Sequence, residues 1–134
     1  MLKQLSIYAE NKKGALRAMT NALYEAGINI WGSVTNDGSE YGINRMVVSD
    51  PEKAKEVLVA KGYLCRFVDV LAVEIEDKPG ALNNLLTALL DSNVNVDYTY
   101  LSFNRDSSTP VMILHTADPE EVEICLKAKG FMMV

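Results

Sequence analysis

The chain of 134 residues has few of the side chains from which metal sites and disulfide frameworks are built. It contains two cysteines, Cys65 and Cys125, without CxxC spacing, and a single histidine, His115. A zinc site takes about four Cys, His or carboxylate ligands, and a small disulfide scaffold is much richer in cysteine. We therefore expect no metal and no cofactor, and we expect both cysteines to be buried thiols.

Positive charge and long apolar runs are also scarce. Thirteen Lys and Arg face 18 Asp and Glu, which gives a net charge of −5, so the phosphate attraction that drives nucleic-acid binding is missing. No uncharged apolar stretch approaches the roughly 18 residues of a membrane span, and the N-terminus lacks the apolar core of a signal peptide. The sequence predicts a cytoplasmic protein that binds neither nucleic acid nor membrane.

What the chain does contain is an internal repeat. The segment from Leu5 to Ile30 aligns with the segment 66 residues later, with nine identities in 26 positions. The segment from Asp50 to Tyr63 aligns with one 68 residues later, with seven identities in 14. Since 49% of the residues are apolar and 23% are charged, each copy can form a packed core. We predict two tandem domains, 1–66 and 67–134, without a Gly/Ser/Pro linker.

The apolar residues of each copy alternate between the strand period and the helix period. Leu5, Ile7 and Ala9 alternate with other residues, which predicts a half-buried strand, and the second copy repeats this pattern. An amphipathic helix follows in each copy. Gly27 and Asn93 follow these helices, and both residue types favour a left-handed C-terminal position.

The rest of each copy predicts a hairpin, a second helix and a last strand. Strand-like segments flank a turn at TNDGSE (35–40) and at FNRDSSTP (103–110). Asp50 and Asp118 precede a proline, as N-cap residues commonly do. Strands are expected again at 63–68 and 131–134. The order is βαββαβ twice, so we predict an α+β fold of two tandem ferredoxin-like repeats, with helices packed on antiparallel sheets.

The loop after the first strand of each copy carries a shared motif. An Asn or Asp, a Lys, and Gly-Ala-Leu precede the helix, and an Asn between two apolar residues follows it. This pattern resembles the signature of the ACT domain, a βαββαβ regulatory module that commonly binds amino acids. Lys13 stands where the family usually has proline, and Asn93 stands where it has glycine. The resemblance spans nearly the whole chain and implies a free-standing tandem ACT protein with ligand contacts from Asn11, Lys13, Gly14, Ala15, Leu16, Asn29, Asp77, Pro79, Gly80, Ala81, Leu82 and Asn95.

The chemistry of these residue types favours the same interpretation. A strand that turns through glycine into a helix leaves backbone N–H groups and a favourable helix dipole for a carboxylate. Gly14 and Gly80 allow close approach of a ligand to the backbone. The oxygens of Asp77, Asn11 and the asparagines after the helix can accept hydrogen bonds from an α-amino group. We expect a free amino acid at the junction of the two copies.

A purely structural interpretation stands beside this one. Asn11 or Asp77 can cap the helix, Gly14 and Gly80 can simply form the turn, and the asparagines after the helices can form local hydrogen bonds. The second functional hypothesis is a ligand-free interaction module that acts in trans on an amino-acid biosynthetic enzyme. A homodimer is compatible with both hypotheses. A small hydrolase such as an acylphosphatase would need an arginine in the first loop, so we expect a protein without catalytic activity.

Overall fold

The computed structural model describes residues 1–37 and 41–134, and these residues form ten helices and strands. In chain order the elements are β1 (Leu2–Glu10), α1 (Ala15–Glu25), β2 (Ile30–Asp37), β3 (Tyr41–Val48), α2 (Pro51–Ala60), β4 (Leu64–Glu74), α3 (Ala81–Asp91), β5 (Tyr98–Phe103), β6 (Pro110–His115) and α4 (Pro119–Ala128). Lys3–Val68 forms one compact unit, here the first unit. Asp69–Val134 together with Met1–Leu2 forms the second unit.

The first unit packs two helices on an antiparallel sheet. Its strands follow the order β2-β3-β1, and β3 pairs antiparallel with both neighbours. Alternate residues of these strands face the helices, because successive side chains of a strand point to opposite sides. The resulting core contains Leu5, Ile7, Met19, Leu23, Met46 and Leu58.

The second unit repeats this arrangement. Its strands follow the order β4-β6-β5, again in antiparallel pairs. Its core contains Leu71, Val73, Leu85, Leu89, Leu114 and Leu126. The predicted fold class of tandem ferredoxin-like repeats is confirmed.

The predicted helix boundaries are also confirmed. Gly27 (φ 72°) and Asn93 (φ 56°) both take the left-handed conformation just beyond α1 and α3. Asp50 and Asp118 are the N-cap residues of α2 and α4. The two caps differ. The carboxylate of Asp50 accepts a hydrogen bond from the Lys53 amide at 3.2 Å, whereas Asp118 makes no side-chain capping bond to any residue that the structure describes.

Several strand predictions need correction. The last strand of the first copy and the first strand of the second are one continuous strand, β4, since the run from Leu64 to Glu74 contains no glycine or proline to break it. The expected final strand at 131–134 is reduced to a bridge between Val73 and Met133. In the predicted turn TNDGSE, residues 35–37 belong to β2, and residues 38–40 lie outside the described residues.

The first strands are more deeply buried than alternation predicted. Gln4 and Ser6 of β1 are 0% and 5% exposed, and Ala72 of β4 is 1% exposed. The Gln4 side-chain amide donates a hydrogen bond to the Ser6 hydroxyl at 3.3 Å. Such pairing lowers the free-energy cost of burying polar groups. Both faces of these strands, and not one, are therefore removed from solvent at their centres.

Candidate functional site

A cavity of about 390 Å³ lies next to the loop between β1 and α1. We call it the first pocket. It is bounded by residues of this loop, by the first turn of α1 with Met19, and by Ala9, Thr35, Gly42 and Asn44 on the strands. Its volume is within the usual range for small-molecule sites, about 300 to 1,000 Å³.

A second cavity, of about 770 Å³, lies next to the equivalent loop between β4 and α3. We call it the second pocket. Residues 78–81 of the loop, one side of α3, Glu74 to Glu76, Thr109 and residues 129–132 bound it. Three carboxylates line it, from Glu74, Glu76 and Asp91, together with Lys78 and Lys129. The second pocket is therefore richer in acidic groups than the first, where Glu10 is the acidic residue among the described lining residues.

Both loops have the same backbone geometry. The N-cap residues of α1 and α3 are Gly14 (φ 85°) and Gly80 (φ 88°), and neither helix has a side-chain cap among the described residues. This left-handed conformation is costly for other residues, which explains the glycines. A Cβ atom built on either glycine would meet no described heavy atom within 4 Å. The space beside the loops is open, and Asn11 and Asp77 are not the helix caps that the structural alternative assumed.

In the first turns of α1 and α3 the second amide, that of Leu16 or Leu82, is available to a ligand. The Ala15 amide donates to the Lys12 carbonyl at 3.1 Å, and the Ala81 amide donates to the Lys78 carbonyl at 3.3 Å. The next amides, of Leu16 and Leu82, have no intrahelical acceptor because of their position in the first turn. These N–H groups, together with the positive end of the helix dipole, suit a carboxylate.

Lys12 and Lys78, at equivalent positions of the two loops, each pair with the glutamate two residues earlier. The distance from Lys12 Nζ to Glu10 Oε2 is 3.2 Å, and that from Lys78 Nζ to Glu76 Oε2 is 2.6 Å. All four side chains are more than half exposed, so solvent screens these pairs and they contribute little to stability. Each loop thus has exposed charges of both signs, which suits a zwitterionic ligand.

The strand side of the first pocket is polar. Asn44 is 4% exposed, and its side-chain amide donates to Thr35 Oγ1 at 2.8 Å and to Ser33 Oγ at 3.1 Å. The Ser33 hydroxyl lies 3.3 Å from Asn44 Oδ1 and can donate to it. Both N–H groups of the amide are therefore satisfied by the two hydroxyls of β2.

Seven of the twelve residues that the sequence predicted as ligand contacts line one of the two pockets. Asn11, Gly14, Ala15 and Leu16 line the first pocket, and Pro79, Gly80 and Ala81 line the second. The other five, which lie outside the described lining of these two pockets, are Lys13, Asn29, Asp77, Leu82 and Asn95.

The two asparagines that follow the helices have surroundings of their own. Asn29 lines a shallow depression with Arg17, Tyr24 and neighbouring residues, and its backbone amide donates to the Ser49 hydroxyl at 2.9 Å. The Asn95 side chain donates to Asp97 Oδ1 at 3.1 Å, a local bond of the kind that the structural alternative describes. The role of these asparagines in binding stays a prediction.

Sequence reasoning did not identify Asn44 and Thr35. A signal was present, because Asn44 is two residues before Met46, a core residue of the same strand. Strand periodicity therefore assigns Asn44 to the inward face, where a polar side chain is uncommon. The repeat gives a second signal, since the equivalent residue of the second copy is Met112.

Other residues singled out in the sequence are accounted for locally. His115 lies on β6, where its Nδ1 is 2.8 Å from Asp97 Oδ2 and its ring stacks on Tyr98. Cys65 is buried as predicted, and burial raises the pKa of its thiol while Lys55 opposes this shift. Cys125 is only partly buried, contrary to the prediction, with its Sγ 3.1 Å from Ser92 Oγ.

No group of three or more His, Cys, Asp or Glu side chains that could hold a metal ion occurs among residues 1–37 and 41–134. Within the same ranges, no helix has the length and apolar character needed to cross a membrane.

One family model matches nearly the whole chain. The family model described as an ACT domain pair matches residues 1–132. A structure of a Bacteroides thetaiotaomicron protein is similar over 99% of this chain and 91% of its own, with a TM-score of 0.91 and 29% identity. No curated protein sequence matches this chain significantly.

Two regulatory subunits share the fold at lower identity. The ligand-free regulatory subunit of aspartate kinase from Thermus thermophilus has a TM-score of 0.68 and 16% identity, covering 96% of this chain and 90% of its own. The regulatory subunit of aspartate kinase from Thermus flavus has a TM-score of 0.66 and 19% identity, with 94% and 88% coverage.

Proposed function

Because the chain belongs to the family of ACT domain pairs, we propose that it is a noncatalytic regulatory protein that binds a free amino acid. The regulated partner is an amino-acid biosynthetic enzyme. The similarity to regulatory subunits of aspartate kinase supports a regulatory role. At such low identity the similarity supports a shared fold, and it does not indicate which enzyme or ligand this chain recognises.

The observation that carries the proposal is the pairing of each loop with a cavity. Gly14 and Gly80 leave the first turns of α1 and α3 without a side-chain cap, and each of these loops borders a pocket large enough for an amino acid. The uncapped amides and the adjoining cavities together favour a ligand that carries a carboxylate.

The two charges of an amino acid find complementary groups in each pocket. We assign the carboxylate to first-turn amides at the helix N-termini, namely that of Leu16, which lines the first pocket, and that of Leu82, which follows Ala81 of the second pocket. The ammonium group takes Glu10 as its counterion in the first pocket, and Glu74 or Glu76 in the second. Amino-acid binding then biases the conformation that the partner enzyme recognises, which is the thermodynamic basis of regulation.

Thermal unfolding with each of the twenty amino acids tests the proposal. A ligand present at a hundred times its Kd stabilises the native state by about 2.7 kcal/mol, which corresponds to roughly 6 to 10 °C for a chain of this size. We expect one chemical group of amino acids to raise the Tm by several degrees. D-enantiomers and amino-acid amides are the controls, because the first change the geometry and the second remove the carboxylate. If no amino acid changes the Tm at millimolar concentration, the binding proposal is wrong.

A ligand-free interaction module is the second candidate, and a surface feature of α3 favours it. Leu82, Leu86 and Leu90 follow one another at a spacing of four residues and are 37%, 38% and 75% exposed. They form an apolar stripe along one side of the helix. The equivalent of Leu86 on α1 is Thr20.

Affinity capture distinguishes this candidate. The interaction module predicts that an amino-acid biosynthetic enzyme copurifies without added amino acid, and that Leu86→Thr, which copies α1, weakens the association. An unchanged yield of the enzyme with Leu86→Thr would show that the stripe is not the contact surface.

A further inference from the structure

The two units differ at an inward-facing strand position, which in the first unit lines the first pocket. On β3 this position is Asn44, which pairs with Ile7 of β1 and with Thr35 of β2. On β6 it is Met112, which pairs with Val73 of β4 and with Leu101 of β5. The same three-strand row is thus polar on two strands of the first unit and apolar throughout the second.

The fold does not require an amide at this position. Met112 is 7% exposed and belongs to the core of the second unit, so an apolar side chain completes the same face. Asn44 is 4% exposed, and burying an amide is unfavourable unless its hydrogen bonds are made. The first unit carries this cost with two supporting hydroxyls on the adjacent strand. A role in ligand binding explains the buried amide of Asn44 better than a contribution to stability does.

The hydrogen-bonding capacity that is left over points to the ligand. Thr35 Oγ1 accepts a hydrogen bond from the Asn44 amide at 2.8 Å. The Thr35 hydroxyl proton is not used in this bond and can be donated to another acceptor. Asn44 Oδ1 has two lone pairs, and the contact from Ser33 Oγ, at 3.3 Å, is long for a hydroxyl donor. Thr35 and Asn44 both line the first pocket. Together they offer one O–H donor and one amide acceptor at the same place.

We propose that Asn44 and Thr35 make the first pocket selective for an amino acid with a short, uncharged, hydrogen-bonding side chain, a hydroxyl or a carboxamide. This inference rests on the proposed function and adds the ligand class. A hydroxyl or carboxamide both donates and accepts, which matches the pair of groups offered. An apolar side chain would cover the Asn44 amide oxygen without bonding it.

A charged side chain does not fit the same place. The charged residues that line the first pocket, Glu10, Lys12 and Arg17, are exposed, whereas Asn44 is buried. An ion placed against Asn44 would lose its hydration without a counterion beside it, which is more costly than burying a neutral polar group. The first pocket therefore discriminates by neutral hydrogen bonds, as sites that reject analogues lacking a hydroxyl do.

Calorimetric titration of the full chain tests the inference with serine, threonine, asparagine and glutamine against leucine, valine, aspartate and lysine. For the wild type we expect the tightest binding from the first set. Asn44→Met copies the second unit, and Thr35→Val removes one hydroxyl from an edge strand. Each should weaken the binding of the preferred amino acid about tenfold, and Asn44→Met should shift the affinity ratio toward leucine or valine. Thr99→Val on β5, the same type of change in the other unit, should leave this ratio unchanged.

The outcomes separate this inference from the proposed function. If no amino acid binds the wild type, the proposed function fails and the inference fails with it. If the wild type prefers an apolar or charged amino acid, or if Asn44→Met and Thr35→Val keep the wild-type ratio, the inference alone is overturned. Should Asn44→Met not fold, Thr35→Val decides, because Thr35 is exposed and valine suits a strand.

Discussion

Substitution of the glycine at the N-terminus of α1 can separate the effect of backbone strain on stability from the effect of a side chain on ligand affinity. Gly14 has a φ of 85°, and Gly62, just after α2, has a φ of 91°. A Cβ atom on either would meet no described heavy atom within 4 Å. Alanine at either position therefore introduces the same backbone strain without a steric clash. Of these two glycines, Gly14 lines the first pocket and Gly62 does not.

The stability cost should be nearly equal for the two variants. A left-handed conformation costs a residue with a Cβ about 1 to 2 kcal/mol relative to glycine. With a urea dependence of about 2 kcal/mol per molar, the unfolding midpoint of Gly14→Ala and of Gly62→Ala should fall by about 0.5 to 1 M. Urea unfolding followed by circular dichroism measures this shift.

The affinities of the two variants should differ. The methyl group of Gly14→Ala fills part of the open space beside the loop, through which we expect the ligand to approach the backbone. One misplaced carbon in a fitted site costs about tenfold or more in affinity. Gly62→Ala should bind the amino acid with wild-type affinity in calorimetric titration. Equal affinities for the two variants would refute the role of Gly14 in ligand approach. An unchanged midpoint for Gly14→Ala would refute the assignment of its backbone conformation.

The cysteines and the helix caps give further tests. In the native protein at neutral pH a thiol reagent should modify Cys125 and spare Cys65, whose pKa is raised by burial, and equal rates would contradict this burial. Because the unfolded thiol ionises at lower pH than the folded one, wild-type stability should fall above about pH 8.5 relative to Cys65→Ala, as pH-dependent unfolding would measure. Asp50→Ala should lower the unfolding free energy by about 1 kcal/mol. Asp118→Ala should lower it by less, since of these two residues only Asp50 makes a side-chain capping bond within the described part of the chain. Equal losses in urea unfolding would show that the Asp50 bond contributes nothing.

The fold was largely predictable because its determinants are local and occur twice. Strand alternation, helical spacing and the left-handed residues Gly27 and Asn93 define the same elements in both copies. The continuity of β4 was missed because the repeat and the local sequence give different answers there. The repeat implies a boundary after residue 66, whereas Leu64 to Glu74 has no residue that interrupts a strand, and backbone continuity follows the local sequence.

The candidate site was predictable only in part. The loop motif contains the glycines and the residues beside them, so Gly14, Ala15, Gly80 and Ala81 could be named from the sequence and line the pockets. The strand side of each pocket is contributed by residues far along the chain. Thr35 and Asn44 come next to the loop only through the pairing of β2, β3 and β1, and no motif at fixed spacing records that register.

The repeat also explains why Asn44 was missed and why it is informative. A comparison of two copies emphasises the residues they share, and those residues are the ones that form the helix ends, the turns and the core. Asn44 and Met112 differ although they occupy equivalent positions in the strand register. Since the same fold accommodates both residues, packing does not determine which of them occurs, and we attribute the difference to the ligand. Recognition in a tandem protein of this kind is therefore to be sought where inward-facing residues of the two copies disagree, and the two pockets should differ in ligand preference.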